Sequence, residues 1–170
     1  MIDKQRGYLS SNNMRELIRD NAMLLPAISR FNIAFGFGDS PVGQVCHDNG
    51  VDTDTFLCVC NLLSGYRYNG YSISLKSLMG YLRRAHTSFL DVAFPKIRHY
   101  LIDAINYSES NEAALLLMKF YDDYVIEVRR HMDYENDVIF EYVDRLLGGE
   151  VDEGFNIAKY SVSHVDTAAK

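Results

Sequence analysis

At 170 residues and 48% hydrophobic content, the chain can bury one sizeable core or two small ones. Its 17 lysines and arginines against 23 aspartates and glutamates leave a net charge of −6, and without a basic block this argues against nucleic acid or an anionic membrane as main partner. No signal peptide, targeting signal or apolar run of about 18 residues is present, so the expectation is a soluble, cytoplasmic protein.

Residues 12 to 63 are cut into short helices by punctuation. Asn13 can cap a helix running to about Phe31, with Pro26 expected to end or kink it. The loop Phe35-Gly36-Phe37-Gly38-Asp39 follows, and Ser40 can cap a second helix with Pro41 at its first position. Asn49-Gly50 stops that helix, and Asp52 can cap a third carrying Phe56, Leu57, Val59 and Leu62. Cys46, Cys58 and Cys60 are odd in number, lack zinc-type spacing and lie within helical patterns, which points to buried free thiols. The stretch from Ser64 to Tyr71 holds turn residues and no sustained period, which suits a linker. The organisation expected is a small helical amino-terminal domain over residues 1–65, a linker over 66–74 and a helical bundle over 75–170.

Beyond residue 74 the segments are long and periodic. Leu75, Leu78, Leu82, Phe89, Ala93, Ile97 and Ala104 make one stripe at helical period, with His86 in its middle. A second segment runs from Glu112 to Leu147 and ends at Gly148-Gly149, a helix C-terminal signal. A third begins near Asp152 and carries Phe155, Ile157, Tyr160 and His164. Strand signals are almost absent, so an all-α fold with antiparallel helices in a bundle is the expectation.

The second long segment holds the densest chemistry. In His131-Met132-Asp133-Tyr134-Glu135 a histidine and a carboxylate lie one helical turn apart and so share a face. Phe120, Tyr124, Val128, Val138 and Tyr142 fall near the same face, so the pair is expected to point into a core. A lone inward histidine is most often a neutral ring satisfied by a carbonyl or carboxylate. Here three of five histidines, His86, His131 and His164, occupy apolar stripes of separate segments. Burying Glu135 unpaired would cost several kcal/mol, and a metal supplies the missing cation. Imidazole and carboxylate without thiolate suit iron, manganese or zinc. His99 lies about 140° around an ideal helix from His86 and is expected to face away from the core. His47, beside Asp48 and Asn49, needs no more than a helix end or solvent.

The order His86, then His131 with Glu135, then His164 resembles the hemerythrin-like (HHE cation-binding) four-helix bundle. The run Leu24-Leu25-Pro26, Phe31 through Gly38, Val45-Cys46 and Gly50-Val51-Asp52 is similar to the small domain preceding that bundle in iron-sulfur cluster repair di-iron proteins. The resemblance implies a non-heme di-iron site with His86, His131 and His164 as terminal ligands and Glu135 as one bridge. It also implies a fourth helix bearing a histidine and a glutamate four residues apart, which the sequence does not hold before Lys170. The expected bundle is therefore truncated to about three helices, with an incomplete ligand set. Members of that family carry adjacent cysteines in the small domain, where this chain has Phe35-Gly36-Phe37-Gly38, so thiol-assisted chemistry is not expected.

Other motif readings fail on their residues. Asp48 to Asp54 lacks the glycine position and terminal glutamate of an EF-hand loop. Phe35 to Gly38 lacks the lysine and preceding strand of a phosphate loop. Two functions remain open. One is a di-iron protein of the oxidative or nitrosative stress response, whose partners would be a small oxidant or nitric oxide and iron-sulfur proteins, or an oxygen or nitric oxide sensor without repair activity. The other is a metal-free helical interaction or regulatory module. A three-helix remnant leaves Leu82, Phe89, Phe120, Tyr124 and Val138 partly uncovered, so self-association through that face is expected.

Overall fold

The computed structural model describes residues 7–66, 70–106 and 112–150. Among these the chain is all-α and contains no β-strand. It divides into two compact units, Met1–Met132 and Asp133–Lys170.

Asn13 caps α1 (Met14–Asp20), its side chain accepting from the Arg15 N–H. The single helix expected from Asn13 to Phe31 is two: α1 stops at Asp20 and α2 runs Leu24–Arg30. Asn21 makes the break. Its backbone is extended at φ −143°, its side-chain oxygen takes the Met23 N–H at 3.0 Å, and its amide donates to Ser64 Oγ at 2.9 Å. Pro26 neither ends nor kinks a helix, because it occupies the first turn of α2, where no intrahelical acceptor waits for an N–H.

The start of α3 (Val42–Asp48) also differs from expectation by one residue. Pro41, not Ser40, takes the capping position, held extended because the Met14 N–H donates to Ser40 O and the Val42 N–H to Asn12 O. Gly50, at φ +64°, closes α3 as expected. Asp52 caps α4 (Thr53–Leu63) by accepting from the Thr55 N–H. Tyr8, Met14, Leu17, Leu24, Ile28, Val42, Cys46, Phe56 and Cys60 form the core these helices enclose. That core continues past residue 65, with Tyr81 inside it and Tyr71, Leu78 and Leu82 packed against it.

Ser74 caps α5 (Leu75–Ser88), which passes through a π-helical turn at Phe89–Ala93 into α6 (Phe94–Asn106). Pro95 accounts for the wide turn: it has no N–H for the Asp91 carbonyl, and its ring excludes a normal α-helical approach there. The Phe94 N–H instead reaches back five residues to Phe89 O. Ala93, Ile97 and Ala104 were the expected stripe, but Ile97 and Ala104 are exposed. This helix has no buried residue; Phe94 packs edge-on to Tyr124, Arg98 pairs with Asp122, and Ile105 is half-buried.

The following helix, α7 (Glu112–Tyr134), has no buried residue. Ala114, Met118, Tyr121, Val125 and Met132 make a half-buried stripe, with the Tyr121 hydroxyl donating to Phe94 O at 2.7 Å. Leu116, Leu117 and Phe120 are exposed, and Tyr124, though it meets Phe94, is half open to solvent. In the second unit a π-helical turn at Glu135–Ile139 leads into α8 (Phe140–Leu147), where Phe140 is buried. Gly149, at φ +85°, takes the left-handed position past its end.

Candidate metal centre

His86 lies in the last turn of α5 and is buried, 6% exposed, as are Met79, Tyr81 and Ala85, whereas Leu75 and Phe89 of the expected stripe are exposed. Two residues past it, at Ser88, the α-helix ends and the first π-helical turn begins. His131 is different. It was expected to point into a core with Phe120 and Tyr124, but His131, Phe120 and Tyr124 are exposed, while Val128 of the same face is half-buried. Helical period identified a shared face; it could not say whether another element covers it. Glu135 is half-buried and opens the second π-helical turn, its carbonyl accepting from the Phe140 N–H. His164 lies outside the described residues.

The donors His86, His131 and Glu135 are of types that suit iron. Among the described residues no group of three or more histidine, cysteine or acidic side chains is placed to hold a metal ion. The described chain thus offers suitable donors without an assembled ligand set.

The remaining histidines sit as expected. The His99 side chain is 70% exposed and lies 3.4 Å from Asp103, and that of His47, 84% exposed, lies 3.4 Å from Asp48. The three cysteines are free. Burial pushes the Cys46 thiol up to about 12, with a hydrogen bond involving Thr53 opposing the shift, and raises Cys60 for the same reason. Neither offers a thiolate near neutral pH. Cys58 is half-buried.

No protein-family model, curated protein or solved structure matches this chain.

One concentration of charged groups escaped the sequence reading. Arg30 at the end of α2 and Arg84 in α5 line one crevice of about 280 Å³ with Ser29, Thr87 and Ser88. They are 54 residues apart, and no motif links them. The only local signal was Gly80 inside a helix, a position that costs about 1 kcal/mol relative to alanine. A Cβ there would sit 3.3 Å from Arg84 Nη2, so the glycine makes room for the guanidinium. Among the described residues no helix is long and apolar enough to cross a membrane.

Proposed function

We propose that this chain is a hemerythrin-like helical module that binds non-heme iron and meets a small oxidant or nitric oxide, as a stress-response protein of the iron-sulfur cluster repair type. The observation that carries the reading is the position of the two π-helical turns. One starts three residues after His86 and the other starts at Glu135. Such turns are rare and frequently mark functional sites, because they re-aim side chains that a regular helix would place elsewhere. His86, His131, Glu135 and His164 are the donors in this proposal. Bound iron would supply one-electron redox chemistry toward a diatomic ligand. The chain's own contribution is an imidazole kept from bulk water at His86 and a carboxylate that lowers the charge of the bound cation at Glu135.

Anaerobic loading of the full chain with ferrous iron, followed by desalting, iron analysis and absorption spectroscopy, tests the proposal. Retained iron that is lost in His131→Ala/Glu135→Ala supports it. A chain that retains no iron after loading overturns it.

The exposed side of α7 favours a second reading, a metal-free interaction module whose partner is another copy of itself. Asp123 and Arg130 are seven residues apart and so share one flank of that side. When two such helices meet antiparallel, like flanks adjoin, and Asp123 of each copy can pair with Arg130 of the other. The apolar residues beside them supply the driving force.

A further inference from the structure

We propose that the crevice between α2 and the end of α5 is a phosphate-binding site, independent of the metal reading. Five polar residues line it: Ser29 and Arg30 from α2, and Arg84, Thr87 and Ser88 from α5. Arg30 and Arg84 both line the crevice, and among the described residues neither forms an ion pair with a carboxylate. In a chain of net charge −6, with acids in excess, that juxtaposition is the reverse of what composition favours.

The two arginines are held in place by other means. Arg84 Nε donates to the Arg30 carbonyl, which anchors it at the negative end of α2. Its terminal nitrogens lie against Gly80, where a Cβ would crowd them. The Arg30 guanidinium stacks 4.8 Å above the Phe89 ring, and its Nη2 lies 3.5 Å from Ser88 Oγ. Arg30 Nε is buried without an acceptor.

A phosphate group meets these demands together. Its oxygens can accept from terminal guanidinium nitrogens, its charge offsets that of the two arginines, and the hydroxyls of Ser29, Thr87 and Ser88 can donate to what remains. The crevice, at about 280 Å³, can admit a phosphate ion or a small phosphate monoester.

The test is a titration of the isotopically labelled full chain with inorganic phosphate, and separately with methyl phosphate, at constant ionic strength set by chloride. Saturable shifts confined to Ser29, Arg30, Arg84, Thr87 and Ser88 are expected. Arg30→Gln and Arg84→Gln should each weaken binding at least tenfold, and Arg84→Lys, which keeps the charge, should weaken it less than Arg84→Gln. Tighter binding of methyl phosphate identifies a monoester ligand, and equal binding identifies the free ion. Lys96→Gln on α6 should bind as the unaltered chain does. Shifts that do not saturate, or that spread over all basic residues alike, overturn the proposal. So does undiminished binding by Arg30→Gln. If a glutamine variant fails to fold, the shift map of the unaltered chain decides alone.

Discussion

The Asn61 side chain binds both backbone polar groups of Tyr8, 53 residues earlier in the chain. Its Oδ1 accepts the Tyr8 N–H at 2.6 Å and its amide donates to Tyr8 O at 3.0 Å. The same amide lies 2.6 Å from the Tyr71 hydroxyl. One buried amide thus ties the start of the described chain and the segment before α5 to α4. Asn61→Ala should cost about 3 kcal/mol, because it strands a buried donor and a buried acceptor. The urea unfolding midpoint measures this, and a loss near zero would show that the tie is not what holds Tyr8. Gly7→Ala should also destabilise, since Gly7 is at φ +73° and a Cβ there would overlap the Asn61 oxygen.

The thiols give a reactivity and a pH prediction. Native protein should react slowly with a thiol reagent at Cys46 and Cys60, with Cys58 reacting first, and all three should react on denaturation. Rapid modification of all three in the native protein would contradict the buried placement. The folded Cys46 pKa lies above its unfolded value of about 8.5, so the folded state binds its proton more tightly. Stability from this group is therefore complete below about pH 8.5 and falls as pH rises toward 12, at up to about 1.4 kcal/mol per pH unit. Cys46→Ala should flatten that decline in an unfolding series between pH 8 and 10.

At the other end of the pH scale, Arg98 and Asp122 join α6 to α7 through contacts of 2.8 and 3.0 Å. The Arg98 guanidinium holds the Asp122 carboxyl below its ordinary value. A depressed carboxylate contributes stability above its unfolded pKa of about 3.9 and loses it as pH falls through the lower folded value. The α6–α7 contact should therefore loosen in acid below about pH 4. Both side chains are more than 40% exposed, so the effect should be modest and weaker in high salt. Hydrogen exchange of α7 amides at pH 3 and pH 6 is the check, with Asp122→Asn expected to remove the difference.

Self-association through α7 should be concentration-dependent by light scattering. Leu116 is 61% exposed, Phe120 69% and Tyr124 51%, so Phe120→Asp should shift the species toward monomer. Arg130→Glu should weaken association, and Asp123→Arg combined with Arg130→Asp should restore it. A strict monomer at high concentration would exclude this interface.

The caps at Asn13 and Asp52 and the stops at Gly50 and Gly149 were legible in the sequence. Each depends on a side chain and the backbone within a few residues of it, so local order suffices. Burial of His86 was legible as well, although Leu75, expected to be buried with it, is exposed. The break at Asn21 was not, since Asn21 is held by Ser64, 43 residues away.

By itself the sequence determined that the chain is helical, where most helices begin and end, and that His131 and Glu135 are one turn apart. Tertiary structure decided which sides of those helices meet anything. Past the π-helical turn before Pro95 the expected stripe residues Ile97 and Ala104 are exposed, and His131 and Phe120 on α7 stayed in water. A period argument assumes a constant rotation per residue and a neighbour opposite each apolar stripe. Neither condition is local, so neither can be read from the residues that carry the stripe.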